Sequence, residues 1–126
     1  MKTILVVDDR PEARYATVRI LAAAGYDVRE TATGRDTLRL ARLSPDLIVL
    51  DIALPDMDGF EVCRRLKSDA LTGPIPVLHK TSVYGDEHRA LGLAAGAADY
   101  LAEPVEPVVL LATVERLLNA SPSPAS

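Results

Sequence analysis

Two short apolar runs, Thr3–Val7 (TILVV) and Leu47–Leu50 (LIVL), each stop abruptly at acid: the first at Asp8-Asp9, the second at Asp51. Each run is brief and rich in β-branched residues, and every position after Thr3 is apolar. That composition suits a strand buried on both faces. Between them, Pro11 is placed for the first turn of a helix in which Tyr15, Val18, Leu21 and Ala22 share one face until Gly25 stops it. Tyr26–Ala32 (YDVRETA) alternates apolar with polar, which predicts a strand at a sheet edge. Gly34–Leu43 carries Leu38 and Ala41 at helical spacing, and Ser44-Pro45 ends it.

The same alternation continues after Asp51. Asp58 is placed to cap a helix running to about Asp69, with Val62 and Leu66 inward and Glu61–Arg65 as an exposed pair. Pro76–Thr81 (PVLHKT) reads as a strand with polar intruders. Asp86 is placed to cap Glu87–Ala95, which Gly96 closes. Asp99–Ala102 is a fifth strand. Pro107 opens a last helix with Leu110, Leu111, Val114, Leu117 and Leu118 as a broad apolar stripe. Five strands alternating with five helices predict an α/β fold: a five-stranded parallel sheet with helices on both faces. Right-handed crossovers leave few topologies, and the flavodoxin-like order 2-1-3-4-5 is the one expected. Residues 1–119 form the expected domain, and 120–126 (ASPSPAS) read as a flexible tail or linker.

Composition narrows the function. The chain has 126 residues, 48% hydrophobic and 25% charged, which describes one soluble globular domain. A net charge of −4 argues against nucleic acid as the main ligand. No apolar run reaches the ~20 residues of a membrane span. The lone Cys63 excludes an internal disulfide and a multi-cysteine metal site, and fits a reducing, cytoplasmic setting.

In an open α/β sheet, ligands sit outside the carboxyl ends of the strands. The residues standing there are Asp8-Asp9, Asp51, Thr81-Ser82 and Glu103-Pro104. Adjacent strands lie ~4.8 Å apart, so Asp51 and the Asp8-Asp9 pair come within a few ångströms of each other. Carboxylates that close repel one another, and a hard cation such as Mg²⁺, which takes oxygen ligands, supplies the compensation. Aspartate also caps helices, and that is the expected role of Asp58.

Four separated blocks, ILVVDD, LIVLDIALPDMDGFEV, PVLHKTS and GAADYLAEPVEP, resemble the receiver domain of two-component response regulators, and the resemblance runs from about Lys2 to Leu118. It implies a flavodoxin-like domain that accepts a phosphoryl group from a histidine kinase or histidine phosphotransfer protein and then alters a contact with a downstream protein partner. It implies Asp51 as phosphoacceptor, with Asp8, Asp9, Asp51 and the backbone carbonyl of Ala53 holding Mg²⁺. Thr81 matches the hydroxyl that contacts the phosphoryl group, and Tyr100 the aromatic switch position. A tyrosine ending a strand otherwise packs half-buried with its hydroxyl in water. Such a domain is a signalling unit, not a turnover enzyme. A homodimer through the final helices is left open, because Leu117 and Leu118 serve a core equally well.

One position departs from the pattern. Where the family carries a lysine before the proline that follows the fifth strand, this chain has Glu103, an ending similar to those of receiver domains in hybrid sensor kinases. With lysine, its one positive charge and the two of Mg²⁺ balance Asp8, Asp9 and Asp51; with Glu103 two negative charges are left over. A charge pair ~4 Å apart is worth about 4 kcal/mol at an effective dielectric of 20, and ~3 kcal/mol slows a reaction about a hundredfold. The alternative function is therefore a receiver-fold interaction module whose phosphorylation is weak or absent. Lys80 precedes Thr81, and alternation points it away from that hydroxyl, toward a place beneath a helix, with a return of its long stem to the rim as the alternative by which it stands in for the missing cation. His79 and His88 read as structural or surface residues.

Overall fold

The computed structural model describes residues 1–82 and 86–120. In chain order these hold β1 (Thr3–Val7), α1 (Pro11–Ala23), β2 (Asp27–Thr31), α2 (Gly34–Ala41), β3 (Leu47–Leu50), α3 (Gly59–Ser68), β4 (Val77–Thr81), α4 (Asp86–Ala94), β5 (Asp99–Ala102) and α5 (Pro107–Asn119). All four strand pairings are parallel and the order is β2-β1-β3-β4-β5, as expected. Residues 121–126 of the expected tail, and the side chain of the expected cap Asp86, lie outside the described residues.

Strand alternation splits the core in two. Ile4, Val6, Leu47, Val49 and Leu78 pack with Leu21 of α1 and Leu110, Val114 and Leu117 of α5. Leu5, Val7, Ile48, Leu50 and Val77 point the other way, onto Ala41, Val62, Cys63 and Leu66. Every residue of β3 is buried, whereas β2 has none, which matches its polar alternation and edge position. Leu117 is thus spent on the core.

The register sets up the site. Val7 pairs with Leu50 across β1 and β3, and the ladder runs one residue further through the Asp51 amide to the Val7 carbonyl, 3.0 Å. Asp8 and Asp51 therefore leave the sheet side by side.

The local signals hold at most ends. Pro11 opens α1 and Pro107 opens α5, while Asp58 accepts the Glu61 amide at 2.8 Å to cap α3. Glu61 and Arg65 pair at 2.9 Å. Differences arise where tertiary packing decides. The inward face of α1 is Thr17 and Leu21, with Val18 half-buried, not Tyr15 and Ala22, which are exposed. The Thr17 hydroxyl donates to the Ala13 carbonyl at 3.1 Å, so this polar residue enters the interface with its hydrogen bond made. Tyr15 instead lies under Arg19, 5.6 Å from its ring. Helix α2 stops at Ala41, two residues early, and Leu43 is left exposed.

Candidate functional site

The rim at the carboxyl ends of β1 and β3 gathers acid. Asp8 and Asp51 are almost wholly buried and Asp9 is exposed, and one ligand oxygen from each lies within 4.8 Å of the others. The Asp51 carboxylate is held firmly: Oδ1 accepts the amides of Ile52 at 2.7 Å and Ala53 at 3.4 Å, and the Thr81 hydroxyl donates to the same carboxylate. Burial pushes the Asp51 pKa above the ordinary carboxylate range, and the charge of Asp8 adds to that push against the hydrogen bonds. The turn behind it is tight. A Cβ on Gly59 would stand 2.3 Å from the Asp51 carbonyl oxygen and 2.7 Å from the Ile52 Cα, so only glycine lets α3 begin there.

An all-oxygen donor set of three crowded carboxylates, two of them buried, fits a hard divalent cation such as Mg²⁺. The Ala53 amide is committed to Asp51. Thr81, not Ser82, is the residue turned inward: Thr81 is fully buried and Ser82 is exposed.

Cations complete the rim. The Arg10 guanidinium lies among three carboxylates: Nη2 is 3.3 Å from Asp8 Oδ2, 3.6 Å from Asp51 Oδ2 and 2.6 Å from Glu103 Oε1. Its pKa is raised by the hydrogen bond to Asp8 first and to Glu103 second, so it is permanently charged. Glu103 Oε2 accepts from Lys80 Nζ at 3.0 Å, and both side chains are largely buried. The stem of Lys80 lies on a helix-covered face, as expected, but its ammonium reaches Glu103 at the rim. Alternation does separate it from Thr81, but it puts Lys80 on the Leu78 face, the same side of the sheet from which Asp8 and Asp51 emerge. A half-buried carboxylate without a cation is costly, and Glu103 lies within the reach of the lysine stem.

Neither Arg10 nor the true place of Lys80 was evident from the strand ends. A signal existed for Arg10. It occupies the N-cap of α1, where Ser, Thr, Asp or Asn is usual, and its side chain makes no cap hydrogen bond.

Tyr100 is buried, not half-wet, and burial pushes its phenol pKa up. Its ring stands edge-on to His79, centroids 6.0 Å apart, and a Cβ on Gly92 would meet both rings at 3.1 Å. His79 is fully buried, with Nδ1 3.1 Å from the Leu50 carbonyl, and burial lowers its pKa. It is a structural residue, as read. His88 is half-buried on α4.

Comparison with known proteins defines the class. Residues 4–115 match the family model of the response regulator receiver domain, and the chain belongs to that family. It is 42% identical over 120 residues to the DNA-binding dual master transcriptional regulator RpaA of Synechocystis, covering 94% of this chain and 50% of that protein. It is 37% identical over 119 residues to Protein PilH of Pseudomonas aeruginosa, covering 94% of this chain and 98% of that one. The receiver domain of a sensor histidine kinase from Pseudomonas aeruginosa, solved with a magnesium ion coordinated in its active site cleft, matches with a TM-score of 0.88. That match has 28% identity and covers 94% of this chain and 98% of the other. The chain thus spans about half the length of RpaA and nearly all of PilH. Phosphorylation of an aspartate with Mg²⁺ is standard for the family, and the Asp8, Asp9 and Asp51 cluster is the acidic pocket in this member. No helix among the described residues is long and apolar enough to cross a membrane.

Proposed function

We propose that this domain, residues 1–119, accepts a phosphoryl group on Asp51 from a phosphohistidine of a histidine kinase or phosphotransfer protein. The observation that carries the proposal is the posture of Asp51. One carboxylate oxygen is pinned by backbone amides, beside a buried hydroxyl and a second buried acid at the mouth of the parallel sheet. A carboxylate oxygen attacks phosphorus as the bond to the imidazole nitrogen breaks, and the imidazole keeps the released electron pair and takes up a proton. Asp8, Asp9, Asp51 and the Ala53 carbonyl would hold Mg²⁺, which when bound neutralises charge on the transferring oxygens. The amides of Ile52 and Ala53 hold the nucleophile still, and the Thr81 hydroxyl moves from carboxylate to phosphoryl oxygen.

Tyr100 and Thr81 form the switch. Withdrawal of the Thr81 hydroxyl toward the phosphoryl group changes the space beside the His79–Tyr100 pair and shifts the balance between two rotamers of Tyr100. The face of α4, β5 and α5 then presents a different surface to a downstream protein, in a cytoplasmic setting, with residues 120–126 as a tail or linker. A silent interaction module is not favoured, because Glu103 is matched by two cations.

The test is incubation with acetyl phosphate and Mg²⁺ followed by intact-mass measurement. The wild-type chain gains one phosphoryl group and Asp51→Asn gains none. An unmodified wild-type chain that also gives no NMR response to beryllofluoride with Mg²⁺ rejects the proposal.

A further inference from the structure

We propose that Arg10 takes over the work of the family's missing lysine: its guanidinium, anchored by Glu103, is the cation that meets the phosphoryl group on Asp51. The inference rests on the phosphoacceptor assignment of Asp51 and deepens it. Three observations support it.

The first is position. Arg10 Nη2 lies 3.6 Å from Asp51 Oδ2, within ion-pair range but beyond hydrogen-bond length, on the oxygen opposite the one pinned by the Ile52 and Ala53 amides. The second is anchorage. Glu103 holds the guanidinium at 2.6 Å and is itself held by Lys80 at 3.0 Å, so the glutamate turns a flexible side chain into an oriented one. The backbone amide of Arg10 is also tied to Asp8 Oδ1 at 2.9 Å. The third is charge. Asp8, Asp9, Asp51 and Glu103 carry four negative charges, and Arg10, Lys80 and one divalent ion carry four positive ones. The neutrality that Glu103 breaks on paper is restored by two side chains.

Guanidinium is the better of the two cations for this task. Its planar fork matches two phosphoryl oxygens at once, whereas an ammonium offers a point charge. On phosphorylation, Arg10 exchanges its Asp8 contact for the phosphoryl oxygens and keeps Glu103. The side chain is 43% exposed, so there is room for that movement. Before phosphorylation the same guanidinium occupies carboxylate oxygens that also serve a divalent ion, and so weakens ion binding.

The experiment compares wild type, Arg10→Ala and Arg10→Ala/Glu103→Lys. The initial rate of Asp51 phosphorylation by acetyl phosphate is read by mass, and Mg²⁺ affinity by NMR titration of the Asp9 and Asp51 amides. Arg10→Ala slows phosphorylation roughly a hundredfold, the scale of losing one preorganised donor at a transferring group. It also tightens Mg²⁺ binding about fivefold, because one positive charge leaves the acids. The double variant rebuilds the lysine pattern and recovers most of the rate. In wild type, beryllofluoride with Mg²⁺ shifts the Arg10 side-chain Nε–H signal. An active wild type with Arg10→Ala at the same rate and the same Mg²⁺ affinity overturns the Arg10 role while leaving Asp51 in place. A wild type that takes no phosphoryl group overturns the Asp51 assignment and this inference with it.

Discussion

The two halves of the rim solve the same electrostatic problem in opposite ways. On the β1–β3 half, Asp8 and Asp51 are placed by backbone: strand register brings them level, the Ile52 amide pins one oxygen, and Gly59 lets the next helix begin against the Asp51 carbonyl. On the β4–β5 half, the Glu103 amide continues the ladder to the Thr81 carbonyl at 2.8 Å, but its carboxylate is held by side chains, Lys80 on one oxygen and Arg10 on the other. Like charges need a rigid frame to be held together, whereas opposite charges find one another through long, flexible stems. The first half is therefore intolerant of any change in shape, and the second of any change in charge.

The largest test of that contrast is Gly59→Ala. The added methyl meets backbone atoms that have nowhere to go, and the domain loses about 3 kcal/mol, read as a lower urea midpoint. Asp8→Asn keeps the shape and removes one charge. The fold survives, while Mg²⁺ affinity, followed by NMR titration, falls roughly a hundredfold.

On the opposite half, Lys80→Met leaves Glu103 with a partner on one oxygen only. It costs about 2 kcal/mol by urea unfolding, and Lys80→Met/Glu103→Met recovers most of that loss, because the uncompensated charge goes with its partner. Equal stabilities of Lys80→Met and wild type would mean that the pair is a surface contact and that the contrast drawn here is false.

The smallest effect is the dependence of stability on pH through Asp51. Its folded pKa lies above the ordinary 3.8 because burial disfavours the charged form. The folded state thus binds the proton more tightly than the unfolded chain, and the stability this confers is present at low pH and lost as pH rises through the folded value. In the absence of Mg²⁺, Asp51→Asn is consequently more stable than wild type by about 1 kcal/mol at pH 7. The gap closes as pH falls below 3.8, where both states of the wild type carry the proton. Thermal unfolding of both proteins across that range reads it directly.

The strands and the acids were legible because they depend on local rules. An apolar run that ends in aspartate, as at β1 and β3, marks both where a buried strand stops and which side chain stands at its mouth, and the other three strands also fall within the stretches read as strands. The helix faces were less legible. Tyr15 matches the inward spacing of α1 as well as Thr17 does, and only the surface that α1 meets, together with a main-chain acceptor for the Thr17 hydroxyl, chooses between them. Tyr100, in the short strand β5, likewise reads as half-buried with a wet hydroxyl, yet a glycine on a different element, Gly92, makes space for the whole ring.

Residue order alone determined the alternation of five strands with five helices, the parallel sheet and the three carboxylates at its mouth, since hydrophobic period and strand ends are properties of neighbours along the chain. Which cations answer those carboxylates was decided only in three dimensions. Arg10 and Glu103 stand 93 residues apart, and a Coulomb contact depends on distance through space, which no local pattern records.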